Sequence, residues 1–303
     1  EVAATTGVVS QSIWSAVVHS GMGPLSPNIV LLSYPSRRDG KDCTDFVTTL
    51  LGIANLKKAL LVFRSSPGYG TFPSEEESFR IRKKTSTLDV WWVIHDGGML
   101  LLLPYILSKT HRNQRLRLFA VTTSTTENPD RLKQAVTTHL AQVRITASVE
   151  IVDLSDTTIA QDMRDADWAL TTEERDIRST PHMTVGEVFS SSAYEVPYHA
   201  VEDEEMGSSS WHATSAQDSS SSLLETKNLT DMYGDDRIRT ALQFNAALQQ
   251  HSSNADLVVT NMPLIRTNQP SDDFFNYVDA MCSGIDNVLL LRGSGAEVIT
   301  TYL

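Results

Sequence analysis

Short apolar runs alternate along this chain with stretches whose apolar residues recur at helical spacing. The runs Ile29–Leu32, Ala59–Phe63, Asp89–Ile94, Leu116–Thr122, Val149–Val152, Leu257–Thr260, Val288–Leu291 and Val298–Thr301 read as strands, being short and rich in β-branched residues or leucine. Most are apolar without a break, the pattern of strands covered on both faces. Trp91 and Trp92 sharpen that expectation, because adjacent strand residues point to opposite faces and each indole needs cover. Between the strands, Phe46, Val47, Leu50, Leu51 and Ala54 form one helical stripe. Leu132, Ala135, Val136, Leu140 and Val143 form a second, entered through Asn128-Pro129-Asp130. Ile238, Ala241, Leu242, Asn245 and Leu248 form a third with one polar break, and Phe274, Phe275, Val278, Met281 and Cys282 a fourth, stopped by Gly284. Met99–Leu103 is apolar all round, which predicts a helix that is deeply buried or held in a subunit contact. This alternation predicts an α/β fold with mainly parallel sheets flanked by helices.

Ser65–Thr87 is polar and turn-rich and divides the pattern into two units. Residues 1–64 read as a partial first α/β unit, 65–87 as a connector and 88–303 as the second unit. The first unit is undersized, and the chain opens on Glu1 with no basic leader, so it reads as beginning inside a unit of a longer protein. Residues 179–227 read as a flexible insert: Ser179–Thr226 holds eight acids, three serine runs and no Lys or Arg, too little apolar surface to offset the entropy of ordering. The short loop Arg292-Gly293-Ser294-Gly295 predicts a hairpin and hence an antiparallel final strand.

Charge narrows the partners. The 25 Lys+Arg against 37 Asp+Glu give −12, which argues against nucleic acid. Eight of those negative charges belong to the insert. Two cysteines, Cys43 and Cys282, in or beside apolar stripes, read as buried inert thiols. No His pair has ligand spacing, so no metal is expected. No apolar run reaches the roughly 20 residues a spanning helix needs.

Two places carry candidate chemistry. His95-Asp96-Gly97-Gly98 joins a strand to a helix, where doubly wound sheets bind phosphates and where a His–Asp pair could act as a base; the plainer reading is a tight turn whose Asp96 caps the helix. Gly-x-Gly-x-x-Gly and phosphate-loop lysine signatures are absent. Arg237-Ile238-Arg239-Thr240-Ala241 reads as the opening of a helix, so a phosphate on Thr240 would sit in the first turn beside two arginines.

The string Asp89-Val90-Trp91-Trp92-Val93-Ile94-His95-Asp96-Gly97-Gly98-Met99-Leu100-Leu101-Leu102-Leu103-Pro104 resembles the cytosolic C-terminal domain of the potassium–chloride branch of the cation–chloride cotransporters. Gly21–Asn28, the strand end Asp256–Pro263 and the closing Leu289–Thr300 resemble further blocks of that domain in the same order. The resemblance spans the chain except about Asp165–Lys227. It implies two units similar to universal stress proteins and a regulatory domain rather than a catalyst. It further implies the partners: the membrane part of the same chain, a homodimer mate, and Ser/Thr kinases and phosphatases. The place is then the cytoplasmic face of the plasma membrane, and the function control of K+ and Cl− symport, chloride export and cell volume. Arg237 through Asn245 matches the context of one regulatory threonine of vertebrate relatives, which implies Thr240 as a phosphorylation site. A second such site has two alignments, Ser192-Ala193-Tyr194-Glu195 and Asp156-Thr157-Thr158-Ile159-Ala160. No cofactor is expected; the alternative reading, a nucleotide-binding sensor of the universal-stress-protein type, would take ATP or ADP.

Overall fold

The computed structural model describes residues 9–21, 27–35, 40–65, 86–94, 98–110, 114–123, 128–164, 185, 222–265 and 270–294. The elements in chain order are α1 (Val9–His19), β1 (Ile29–Ser33), α2 (Gly40–Asn55), β2 (Ala59–Ser65), β3 (Ser86–Trp92), α3 (Met99–Thr110), β4 (Gln114–Thr122), α4 (Pro129–Gln142), β5 (Ser148–Asp153), α5 (Ile159–Arg164), α6 (Ser222–Ser252), β6 (Leu257–Asn261), α7 (Ser271–Cys282) and β7 (Asn287–Arg292).

The apolar runs become one seven-stranded sheet in the order β1-β2-β7-β6-β3-β4-β5. Every neighbouring pair is parallel except β2 and β7, which run antiparallel with Leu61 opposite Leu291. The strands of 1–64 and those of 88–303 therefore share a single sheet, joined through that one antiparallel seam. The chain crosses from β3 through β4 to β5 in one direction, then returns to β6 on the other side of β3. Such a reversal is the switch point of a doubly wound sheet.

Both faces are covered, as unbroken apolar strands require. Trp91 belongs to the core under α2, α5, α6 and α7, and Trp92 to the core under α3 and α4. Trp91 stacks on Phe119 at 4.8 Å and meets the edge of Phe244. Asn128 caps α4 as expected: its side-chain oxygen accepts from the backbone N–H groups of Asp130 and Arg131. The helix from Met99 is buried at Met99, Leu100 and Leu101, while Ile106, two residues beyond Pro104, is exposed.

Four expectations change. β3 starts at Ser86 and ends at Trp92, not at Ile94. The backbone N–H groups of Val93 and Ile94 leave the ladder because the buried side-chain oxygen of Asn261 accepts both, at 3.1 and 3.2 Å. α6 begins at Ser222, well before Arg237. Its buried face runs through Thr240, Ala241, Phe244, Asn245 and Leu248, and Leu242 is 52% exposed. Within the segment read as a flexible insert, Val185 is fully buried against the α3–α4 core and Ser222–Lys227 are helical. The rest of 179–221, the loop His95-Asp96-Gly97, and the predicted strand Val298–Thr301 with its hairpin glycine Gly295 lie outside the described residues.

Candidate regulatory site

The side chain singled out for phosphorylation sits on the longest helix of the fold, and what holds that helix decides what a phosphate there could do. α6 packs against α7 and α5 over the Trp91 face of the sheet. Its C-terminal end is pinned by polar contacts. The Trp91 indole N–H donates to the Ser252 hydroxyl at 3.0 Å, with both groups buried. The Arg117 guanidinium donates to the His251 carbonyl at 3.1 Å, answering one of the orphan carbonyls of a helix end. The His251 ring Nδ1 lies 3.2 Å from the Glu150 carboxylate and packs against Phe119.

About two turns further back the polar break in the stripe explains itself. Asn245 donates its side-chain amide to the carbonyls of Met281 and Ser283, at 2.9 and 2.7 Å, so it caps the end of α7. Gln249 donates to the Asn245 side-chain oxygen and also to the Ser283 carbonyl. Gly284 completes this join. Its φ of +71° is strained for any L side chain, and a Cβ there would stand 2.9 Å from the Gln249 amide nitrogen.

Thr240 lies beyond these anchors, toward the helix start. It is buried at 4% exposure, and its hydroxyl is 3.0 Å from the hydroxyl of the exposed Thr158, just before α5. The first-turn placement expected for Thr240 is thus replaced: eighteen residues of α6 precede it, so the helix dipole no longer favours an anion there. The two arginines are engaged elsewhere. The Arg237 guanidinium stacks 4.9 Å over the Tyr277 ring, and Arg239 pairs with Asp236. Two separate sequence readings, Thr240 and the Thr158 alignment, meet in one hydrogen bond. The rival alignment at Ser192-Ala193-Tyr194-Glu195 lies outside the described residues.

The remaining candidates resolve as follows. Cys43 and Cys282 are both buried. Burial pushes the Cys282 thiol up to about 12, opposed by the nearby Arg64 cation. At pH 8 only about one such thiol in ten thousand is ionised, so native chain should leave a thiol-titrating disulfide reagent unreacted until denaturant is added. The unfolded thiol ionises near its ordinary value of 9.0, so the stability this burial gives is present below that pH and is lost as pH rises toward the folded value of about 12. Among the described residues, no group of His, Cys, Asp and Glu could hold a metal ion, and no helix is long and apolar enough to cross a membrane.

Sequence reading missed one ionic feature of this site. Asp89 is fully buried in the middle of β3 and takes a bidentate hold from Arg117 on β4, with Nε donating at 2.7 Å. The signal was available: both charges interrupt apolar runs, and the parallel register places them opposite each other.

A family model described as solute carrier family 12 matches residues 69–303. Among solved structures, the chain is similar to one titled "Crystal structure of the cytoplasmic domain of a prokaryotic cation chloride cotransporter", with a TM-score of 0.42 and 11% identity, covering 95% of this chain and 71% of that one.

Proposed function

We propose a role for this chain from one premise: it belongs to solute carrier family 12. The role is that of the cytoplasmic regulatory and dimerisation domain of an electroneutral K+/Cl− symporter. It lies at the inner face of the plasma membrane beside the membrane-spanning part of the same protein, and its task is to set chloride export and hence cell volume. It binds no cofactor and catalyses no reaction. The family match is the observation that carries this reading. Assignment to the potassium–chloride branch rests on the string Asp89–Pro104 and the three further blocks that resemble that branch. Dimerisation is supported by an apolar patch near one edge of the sheet: Ile29 and Leu31 are exposed on the edge strand β1, and Phe63 on its neighbour β2.

Control by phosphorylation is supported by the place of Thr240. A phosphate carries close to two negative charges and needs water or cations around it. Buried against Thr158, with Arg237 and Arg239 engaged elsewhere, a phosphorylated Thr240 has no room and no counter-ion, so the α5–α6 seam has to open. The modification therefore selects between a packed and a parted seam, a two-state element of the kind that transmits local charge into domain position.

Rubidium uptake by cells expressing the full-length protein tests this reading. Uptake that depends on chloride but not on sodium is expected. A sodium requirement would overturn the potassium–chloride assignment, and chloride-independent uptake would overturn the symporter itself.

A further inference from the structure

A cavity of about 570 Å3 opens at the rim of the sheet, between the end of α3 and the starts of β4 and β5. Its walls include Ser108, Lys109, Gln114, Arg115, Thr146 and Ser148. Nothing in the regulatory seam uses it, and its volume falls within the range of small-molecule sites.

Three observations constrain what it would hold. First, its charge is positive. Lys109, which also lies 4.9 Å over the Tyr105 ring, and Arg115 are exposed cations of its wall, and among the described wall residues there is no carboxylate, in a chain whose net charge is −12. Arg117, the third cation of the wall, is already held by Asp89. Second, the wall contains an acceptor with nothing to accept. The Gln114 side-chain oxygen is buried and has no hydrogen-bond partner among the described residues, a costly state for a polar atom. Third, the cavity lies at the C-terminal end of α3, where the last carbonyls of a helix present the negative end of its dipole. A bare anion gains from Lys109 and Arg115 but is opposed by those carbonyls and by Gln114. A ligand with an anionic group at the mouth and hydroxyl donors inside satisfies both sets at once. The hydroxyls of Ser108, Thr146 and Ser148 can serve either end of such a molecule.

We propose that this cavity is a binding site for a phosphorylated polyol: the phosphate meets Lys109 and Arg115, and a ligand hydroxyl donates to the Gln114 side-chain oxygen. The same chemistry occurs in soluble sugar and inositol phosphates and in inositol lipid headgroups. The assignment does not rest on the regulatory reading of Thr240: the residue common to both sites, Arg117, is already held by Asp89 and the His251 carbonyl and is given no part in binding the ligand.

Calorimetric titration of the whole chain with inositol trisphosphate, and separately with inorganic phosphate, tests the proposal. Inositol trisphosphate should bind and inorganic phosphate should bind at least about tenfold more weakly. The exposed double variant Lys109→Glu, Arg115→Glu, checked for native circular dichroism, should weaken the polyol by about tenfold or more. Gln114→Leu should weaken the polyol while leaving the weak binding of inorganic phosphate unchanged. Flotation with phosphatidylcholine vesicles, with and without phosphatidylinositol phosphate, then separates the sources. Recruitment by the phosphorylated lipid identifies a headgroup site, and soluble binding without recruitment identifies a free metabolite. Absence of heat at millimolar inositol trisphosphate, equal affinity for inorganic phosphate, or full affinity in the charge-reversed variant would each overturn the assignment.

Discussion

Replacing Thr240 by glutamate in the full-length transporter is expected to lower basal chloride-dependent rubidium uptake by about tenfold, the change that a bias of ~1.4 kcal/mol in a two-state equilibrium produces. The argument starts from burial. Thr240 is 4% exposed and its hydroxyl meets that of Thr158. A carboxylate in its place is longer, charged and without a cation, and burying it unpaired costs several kcal/mol. The cheapest escape is to part α5 from α6, because the other end of α6 is held by Arg117, Trp91, Asn245 and Gln249. Amide exchange should therefore rise in α5 and around Thr240 while β3 and β4 keep their protection. Thr240→Val is the control. It keeps the shape and loses one hydrogen bond whose other partner, Thr158, can turn to water, so flux should stay within about twofold and stability within ~1 kcal/mol. Glutamate-variant flux equal to wild type, with unchanged exchange in α5, would remove Thr240 as a control point. Loss of flux in the valine variant as well would make the residue structural rather than regulatory.

What could be read before the fold was known follows from which forces are local. The strands announced themselves because burial on both faces leaves unbroken apolar runs, and the paired tryptophans required two covered layers. The cap at Asn128 and the stop at Gly284 were legible because each is set by a few neighbouring residues. The end of β3 was not, because a side chain from a strand far along the chain, Asn261 of the neighbouring β6, takes the N–H groups that would have continued it. The start of α6 was hidden for a different reason. Its first turns carry no apolar stripe and include Gly234, so neither periodicity nor propensity marks them. That error moved Thr240 from an expected first turn to a buried mid-helix seam and so reversed the expected electrostatics, from a phosphate welcomed to a phosphate expelled. The antiparallel seam of β2 with β7 joins residues more than two hundred positions apart and has no local sign. The meeting of Thr158 with Thr240 is likewise long-range; only the two motifs, not their contact, were legible.

The pair that sequence reading passed over should carry the larger effect on stability. Arg117→Leu is expected to destabilise the chain by about 3–5 kcal/mol, because it leaves Asp89 sealed in the sheet without its partner. Asp89 has 0% exposure, so water cannot replace the guanidinium. The same substitution removes the donor to the His251 carbonyl and the cation 5.3 Å above the Phe119 ring, so it also loosens the pinned end of α6. In a domain of this size, a loss of that order lowers the melting midpoint by about 10 °C. The second substitution decides the cause. If the penalty is the orphaned charge, Asp89→Leu added to Arg117→Leu should recover most of the loss, since apolar residues of similar volume often replace a buried ion pair at little cost. If the double variant is as unstable as the single one, the Arg117 anchor on α6 is the stabilising contact instead. Melting curves of both variants separate these outcomes, and exchange at His251 and Ser252 locates them. A single variant that melts with the wild type would mean that Asp89 reaches another cation or water on relaxation, and the ion pair would then have no part in holding α6 to the sheet. Because α6 also bears Thr240, the single variant in the full-length transporter should also respond less to Thr240→Glu: a helix whose anchor is loosened pivots less firmly about its C-terminal end.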